Sequence, residues 1–481
     1  MITIALVKKK SLPLNLPLEI SPEPAPEFLT ALGGLPLVSR TFHALRLPES
    51  VARHVVIKKR DRGFSEAQMV ESLVLLNAAG GDCLDDLRRL QADEGLAPML
   101  GHAVPSPEAA RKFLYAFHSD AAIDEAKAAR KPEQVAFIPK ETGPLEGLAR
   151  VNDDLVREVA RRFPDQKIAT VDEDATIQES HKREALPHYA GGRGYQPMIA
   201  VWAEMELVLA DEFRDGNVPA MMEPLTVAKR AFAALPASVE QYFYRADSAS
   251  HESALVSWLC DENRLDGPKG AIGFGISARM SKALATAIAA LPAEDWKPYR
   301  APGQEVDELR DWADVPFVPS DKSEHKDSQP LRYVAVRVRP RQGDFFADGS
   351  RVKHFAVLSN RWELDGARLL QWHREKAGTI EQVHDIVKNE LAGGVLPCGR
   401  FGANAAWLRL ALLSWNVLVA LKRIALPPEM LTARPKKLRF SIFVQAGRLV
   451  HHARTLVIRL ATTVEHLAAY LEAWKLIVAP G

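Results

Sequence analysis

Cysteine is nearly absent: Cys83, Cys260 and Cys398 are the three in 481 residues, far apart in sequence. With no CxxC pair and no Cys/His cluster, a zinc module and a disulfide scaffold are both disfavoured, and the chain suits a reducing cytoplasm. Net charge is lacking too. The 62 Lys and Arg nearly cancel 61 Asp and Glu, so any charged partner must be read from local runs. No uncharged apolar run is long enough to span a bilayer. The most apolar stretch, 405–426, is interrupted by Arg409, Lys422 and Arg423 and reads as a buried core helix. Residues 1–7 are apolar, but Lys8, Lys9 and Lys10 follow them, the reverse of a secretory signal. The expectation is a cytoplasmic protein with no membrane partner. Acidic residues are missing from 430–464, which holds Arg434, Lys436, Lys437, Arg439, Arg448, Arg454, Arg459, His451 and His452. In a chain near neutrality, that is a basic patch suited to a polyanion, expected as a pair of helices.

At this length two to four domains are expected. Residues 1–30 are Pro-rich without a clear period and read as a flexible arm. From about 31 to 150 the pattern is helical. Ser65 and Gln68 have capping-box spacing ahead of Met69, Leu73 and Leu76, and Gly80-Gly81 closes that helix. The basic run Lys58-Lys59-Arg60-Asp61-Arg62 precedes it, and short helices with tight turns are one form a DNA-binding domain takes. From 151 to 260 the texture becomes α/β. Strands are expected at 167–176, 197–201, 207–213 and 241–246, with helices at 226–235 and 253–260 and a glycine-rich loop at 191–195. Strand patterns at 332–339 and 353–358, with a turn at 343–350 and a charged loop at 322–329, mark 261–365 as β-rich. After Trp372 the chain reads as helical to the end.

Three carboxylates stand out by position. Asp174 sits where a strand runs out, with Asp172 two residues earlier on the same face. Asp247 ends a later strand. Glu381 opens a helix bounded by Gly378-Thr379 and Gly393-Gly394, in which Ile380, Val383 and Val387 face inward and Glu381, His384, Asp385 and Lys388 share the other side. Ligands of open α/β sheets collect at strand ends, and converging carboxylates repel unless a cation neutralises them. Oxygen ligands suit Mg²⁺, and paired ions of this kind serve phosphodiester chemistry. The competing reading of each aspartate alone is a turn or cap residue.

The stretches TVDEDAT, FYRADSAS and GTIEQVHDIVKNELAGG resemble, in order, the three catalytic blocks of the DDE transposases of bacterial insertion sequences, group 1. GGRGYQP, LPCGRFGANAAWLRLALLSWNVL and the N-terminal GGDCLDDLRRLQAD segment are similar to that group as well. The resemblance spans about residues 42–421. It implies an RNase H-like α/β core in two parts, 151–260 and 366–426, interrupted by a β-rich insertion at 261–365. A helical DNA-binding domain at 31–150 and a basic helical region at 427–481 would flank it. It further implies Asp174, Asp247 and Glu381 as a triad for two Mg²⁺, with Mn²⁺ possible. Asp174 is preferred to Asp172 by the family's Asp-x-Thr pattern. Glu381 and Lys388 keep the gap of a Tyr-Arg-Glu-Lys signature, whose arginine and tyrosine positions are Ala377 and Arg374 here. His373, Arg374 and Lys376 are the neighbours able to substitute. Phosphate contacts are expected from Arg193, Arg374, Lys376, Lys388, Arg434, Lys436, Lys437 and Arg439. Double-stranded DNA, both terminal inverted repeats and target, is the implied partner, bound by a homodimer. A metal nuclease that does not join ends, a DNA-binding protein without catalysis, and a paired-carboxylate glycosidase are the competing readings. His373 and His384 are expected to be structural, and Trp372, Trp407 and Trp415 to be core.

Overall fold

The computed structural model describes residues 28–58, 62–300, 307–318, 331–340, 346–347 and 349–478. Residues 1–27 of the expected arm, Lys59 to Asp61 of the basic run, and the charged loop at 322–329 lie outside these residues, as do Gly343, Asp344, Phe345 and Asp348 of the turn at 343–350. Leu29–Thr30 form a short strand, β1, so the end of the expected arm is a sheet edge rather than a flexible segment. Helices α1 (Pro36–Ala44), α2 (Leu47–His54) and α3 (Glu66–Ala79) follow, then α4 (Pro107–Tyr115) and α5 (Gly143–Ala160). The capping box of α3 forms as its spacing predicts: Gln68 N–H donates to Ser65 Oγ, and Ser65 N–H to Gln68 Oε1. Gly80 ends α3 at φ 90°, the left-handed geometry that favours glycine.

Strand β2 (Ile168–Ala175) opens the sheet, followed by β3 (Met198–Trp202), β4 (Leu207–Glu212), α6 (Pro224–Ala234), β5 (Gln241–Ala246) and α7 (Ser253–Cys260). Next come β6 (Ile272–Ser277), β7 (Lys297–Tyr299), β8 (Asp307–Val315), β9 (Arg332–Val338) and β10 (Lys353–Ser359). Helices α8 (Gly366–Arg374), α9 (Ile380–Glu390) and α10 (Phe401–Ala425) lead to a hairpin, β11 (Gly447–His452) and β12 (Thr455–Leu460), and to α11 (Val464–Leu476).

One mixed sheet runs β4-β3-β2-β5-β6-β10-β9-β8-β7. Strands β2, β3 and β4 pair antiparallel, while β5 and β6 run parallel to β2. The third, second, first, fourth and fifth strands of the core thus stand side by side in the order an RNase H-like core requires. One expected boundary moves. β6 lies inside the stretch assigned to the insertion, yet it pairs parallel with β5 and completes the core. The insertion strands continue the same sheet through the antiparallel pair β6–β10 instead of forming a separate one. A strand edge with unpaired N–H and C=O groups accepts further strands, and sequence texture cannot show that continuity. At the opposite edge, Val208 of β4 donates to Asn416 Oδ1 and accepts from Asn416 Nδ2, both at 2.8 Å, so α10 closes that side with an amide in place of a strand.

Helix α10 is long and apolar enough to cross a membrane by length and composition, but its apolar window is entirely buried here. Arg409 within it is buried as well, bonded to both oxygens of Asp211 at 2.8 and 2.9 Å and to Glu141. The C-terminal region departs from the helix pair expected from its charge. β11 and β12 form a hairpin on which β1 lies as a third strand. The reason is the alternation of Leu449, Ile458 and Leu460 on the inner face, against Gly33 and Gly95, with arginines on the outer one.

In the helical domain, buried Glu71 of α3 accepts from Ser39 Oγ at 2.6 Å and faces Nε2 of His43 and of His102 at 3.3 Å. Nδ1 of His102 faces the Ala103 carbonyl at 2.8 Å, so both of its ring nitrogens face acceptors and the cation is favoured. The bonds to Glu71 raise both histidines above 6.5. Burial opposes ionisation of Glu71, but the two histidines and Ser39 hold it down at about 2. The stabilisation is therefore present below pH 6.5 and is lost as pH rises through the raised histidine values. In thermal unfolding followed from about pH 6 to pH 9, wild type melts progressively lower, and Glu71→Gln removes most of that slope. An unchanged slope in the variant would show that these histidines are not coupled to Glu71.

Candidate metal centre and DNA interface

The parallel register of β2 and β5 pairs Asp172 with Arg245 and Glu173 with Ala246, so Asp174 and Asp247 leave adjacent strand ends together. Strand β2 is buried up to Glu173, and Asp174 is where it emerges. Asp174 Oδ1 accepts from Ala175 N–H and Asp247 Oδ1 from Ala249 N–H, both at 2.9 Å. Glu381 lies in the first turn of α9 and is exposed. Asp174 senses the other two carboxylates. Burial pushes Asp174 up to about 6, Lys376 pulls it back, and repulsion from Asp247 and then Glu381 adds to the rise. Among the described residues, no three His, Cys, Asp or Glu side chains close around a single point. Glu381 contributes the weakest of those charge effects on Asp174 and is the outermost member.

Asp172 has a different environment. It is fully buried, Arg245 Nε and Nη2 donate to its two oxygens at 2.6 and 2.9 Å, and the Thr379 hydroxyl donates to it as well. Arg245 Nη1 continues to the Trp372 carbonyl at 2.6 Å and to Glu375 at 3.1 Å. One guanidinium thus joins β2 and β5 to both ends of the segment that leads into α9. This pair was not singled out from sequence. The signal was there: an arginine among the aromatic residues of QYFYRA, where a buried charge needs a partner.

His373 Nε2 donates to the Ala246 carbonyl at 3.0 Å, one residue before Asp247, and burial lowers its pKa to about 4. His384 is also buried, lowered to about 3, and its Nε2 stands 3.9 Å from Asp174 Oδ2, beyond hydrogen-bond reach. Both imidazoles are neutral; His373 is tied to the backbone, whereas neither buried ring nitrogen of His384 has a hydrogen-bond partner among the described residues. Trp407 and Trp415 are buried in α10, while Trp372 is half-buried and stacks under Arg361 at 4.4 Å.

The expected phosphate contacts divide. Lys376 and Lys388 both act electrostatically on or with Asp174 and stand beside the centre. Arg374 is exposed on a cleft of about 680 Å³ that opens next to Asp247, shared with Arg279, Arg310 and the half-exposed Phe355. Lys436 and Lys437 are exposed. Arg193, Arg434 and Arg439 have partners within the chain. Arg193 donates to the Ala185 and Arg183 carbonyls, and the expected glycine-rich loop is a short strand there, Arg193–Tyr195. A Cβ at Gly194 would lie 2.1 Å from the Gln178 carbonyl oxygen, which explains that glycine. Arg434 bonds Glu390 and Asp385 of α9 at 2.6 and 2.5 Å, and Arg439 Nη2 donates to the Glu390 carbonyl at 2.8 Å. These last two pin the far end of α9 to the C-terminal region, which accounts for them without DNA.

Fold and site together define a mixed α/β protein with Asp174 and Asp247 at the carboxyl ends of two adjacent parallel strands and Glu381 in the first turn of α9. The model of the family described as transposase DDE domain group 1 matches residues 26–478, and the chain belongs to that family. It is thereby a DNA transposase of the DDE class. Among curated proteins none matches. Among solved structures, a piggyBac transposase synaptic complex with hairpin DNA is similar at 11% identity and a TM-score of 0.42, over 84% of this chain and 78% of that one.

Two stability measurements separate the neighbouring aspartates. Asp172→Ala strands a buried guanidinium and lowers the unfolding free energy by about 3–5 kcal/mol. Asp174 behaves oppositely. Its folded pKa is raised from 3.8 to about 6, so the folded state holds the proton more tightly and stability falls as pH rises through that window. In chelator at pH 7, Asp174→Asn is expected to be more stable than wild type, by on the order of 2–3 kcal/mol. Denaturant unfolding of both variants checks the pair, and a destabilised Asp174→Asn would remove the strained-carboxylate account.

Proposed function

We propose that the protein cleaves DNA at the ends of its own element and joins those ends to target DNA, using Mg²⁺ or Mn²⁺ held by Asp174, Asp247 and Glu381. The register that brings Asp174 and Asp247 to adjacent strand ends, with Glu381 at the start of α9, is the observation that carries this reading. The donor set suits the ion: all three are carboxylates, and Asp174 resists ionising beside the other two. When bound, such ions supply charge neutralisation and activation of the attacking oxygen in phosphodiester chemistry.

The chain's own residues do the remaining work. Lys376 and Lys388 offer cations to phosphate oxygens at the centre. Arg374, Arg279 and Arg310 line the adjoining cleft, with an apolar floor from Val336 and Val357 that can seat a DNA end. Hydrolysis adds water across one P–O3′ bond and leaves a 3′ hydroxyl and a 5′ phosphate. Joining forms a new P–O3′ bond to the target and releases the target's own 3′ oxygen as a hydroxyl. No covalent protein intermediate is needed, because positioning and charge stabilisation carry phosphoryl transfer. The helical N-terminal domain would bind the terminal repeats, and a homodimer in the cytoplasm would pair two ends.

The test is divalent-dependent cleavage of DNA carrying the element's ends, wild type beside Glu381→Ala, followed by a strand-transfer assay. The expected outcome is cleavage and joining by wild type, and loss of both in the variant with DNA binding retained. Equal cleavage by both proteins would remove Glu381 from the site. Cleavage without joining would make the protein a nuclease. In parallel, Mg²⁺ should raise the melting temperature of wild type by several degrees and leave Asp174→Asn unmoved.

A further inference from the structure

We infer that the hairpin β11–β12 is a second DNA-binding element, a basic ribbon that lies against duplex DNA away from the acidic centre. The inference rests on the transposase reading and adds a surface to it.

Alternation divides the hairpin into two faces. Leu449, Ile458 and Leu460 point to the body of the protein, where Gly33 and Gly95 leave them room. Arg448, Val450, His452, Thr455, Val457 and Arg459 share the other face, and Arg448, His452, Thr455, Val457 and Arg459 on it are exposed. Arg448 and Arg459 are directly paired across the strands.

The tip adds a second observation. Ala453 and Arg454 form a two-residue turn with φ of 47° and 67°, so two side-chain-bearing residues occupy the left-handed region that such a turn reserves for Asn and Gly. The strain holds Arg454 at the extreme of the ribbon, where glycine would be easier. Beside the ribbon runs an open groove of about 810 Å³, with Arg89, Arg448 and Arg459 along it and Glu94 at its rim. Asp93 also lines that groove; its Oδ2 accepts from the Thr30 hydroxyl and the Ala31 N–H, and its Oδ1 is buried without a partner among the described residues. No acidic residue occurs anywhere from 430 to 464. A twisted two-stranded ribbon with arginines on its outer face fits a DNA groove and its phosphates.

The experiment is fluorescence anisotropy of the full-length protein with duplex DNA of the element's ends, titrated over a range of salt. Arg454→Ala/Arg459→Ala should bind roughly tenfold more weakly at about 0.1 M salt, with a salt slope smaller by about two. Arg454→Gly relieves the turn, so it should melt no lower than wild type yet bind several-fold more weakly. That combination is one a purely structural arginine would not produce. Wild-type affinity and slope in both variants would exclude the ribbon while leaving the transposase reading intact. Failure of wild type itself to bind any duplex would overturn both.

Discussion

The Arg245–Asp172 pair is the contact on which the centre depends. Two charges taken fully out of water are expensive, and only near-complete pairing offsets the cost. Here the guanidinium is satisfied by Asp172, the Trp372 carbonyl and Glu375, and the carboxylate by Arg245 and the Thr379 hydroxyl. The consequence is positional. Residues 372–379 lie more than a hundred positions from either strand, with the insertion between, and this pair returns them to the strand ends. Glu381 follows Thr379 by two residues, so the anchor sets where α9 begins. The bond from His373 to the Ala246 carbonyl makes a second tie one residue before Asp247.

Asp174 stands two residues from Asp172 on the same face, and the physics reverses. Asp172 has a dedicated cation and is buried. Asp174 has a backbone N–H, a nearby lysine and two repelling carboxylates, and sits where the strand meets solvent. A protein built for stability alone would not hold it there. Such local violations, supported by a rigid surround, are where function is expected. The surround is rigid: α10 closes the sheet edge through Asn416, and Arg409 ties α10 to Asp211 and Glu141.

Much of the core was legible from pattern. Strands at 241–246, 332–338 and 353–359, helices at 253–260 and 380–390, and the Ser65 capping box all follow from local periodicity and stop signals. The candidate triad was legible by position, since strand-end aspartates and a first-turn glutamate are local features. The hairpin at 447–460 carries charge that suits a basic helix, and only its alternation marks it as two strands. The core strand at 272–277 was hidden inside the insertion for a different reason. Parallel pairing is between residues far apart in sequence and leaves no local signature.

What the sequence determined by itself is therefore the type of many core elements, the family, and which carboxylates to consider. Tertiary structure decided their roles. Asp172 and Asp174 are indistinguishable by periodicity, as are Arg434 and Lys437 by charge. Depth in the sheet gives Asp172 an arginine and leaves Asp174 beside carboxylates, and contact with Glu390 commits Arg434 to α9 while Lys437 stays exposed. Burial and partner choice arise only when distant segments pack, because the cost of a charge depends on the dielectric and counter-charges around it rather than on its neighbours in the chain.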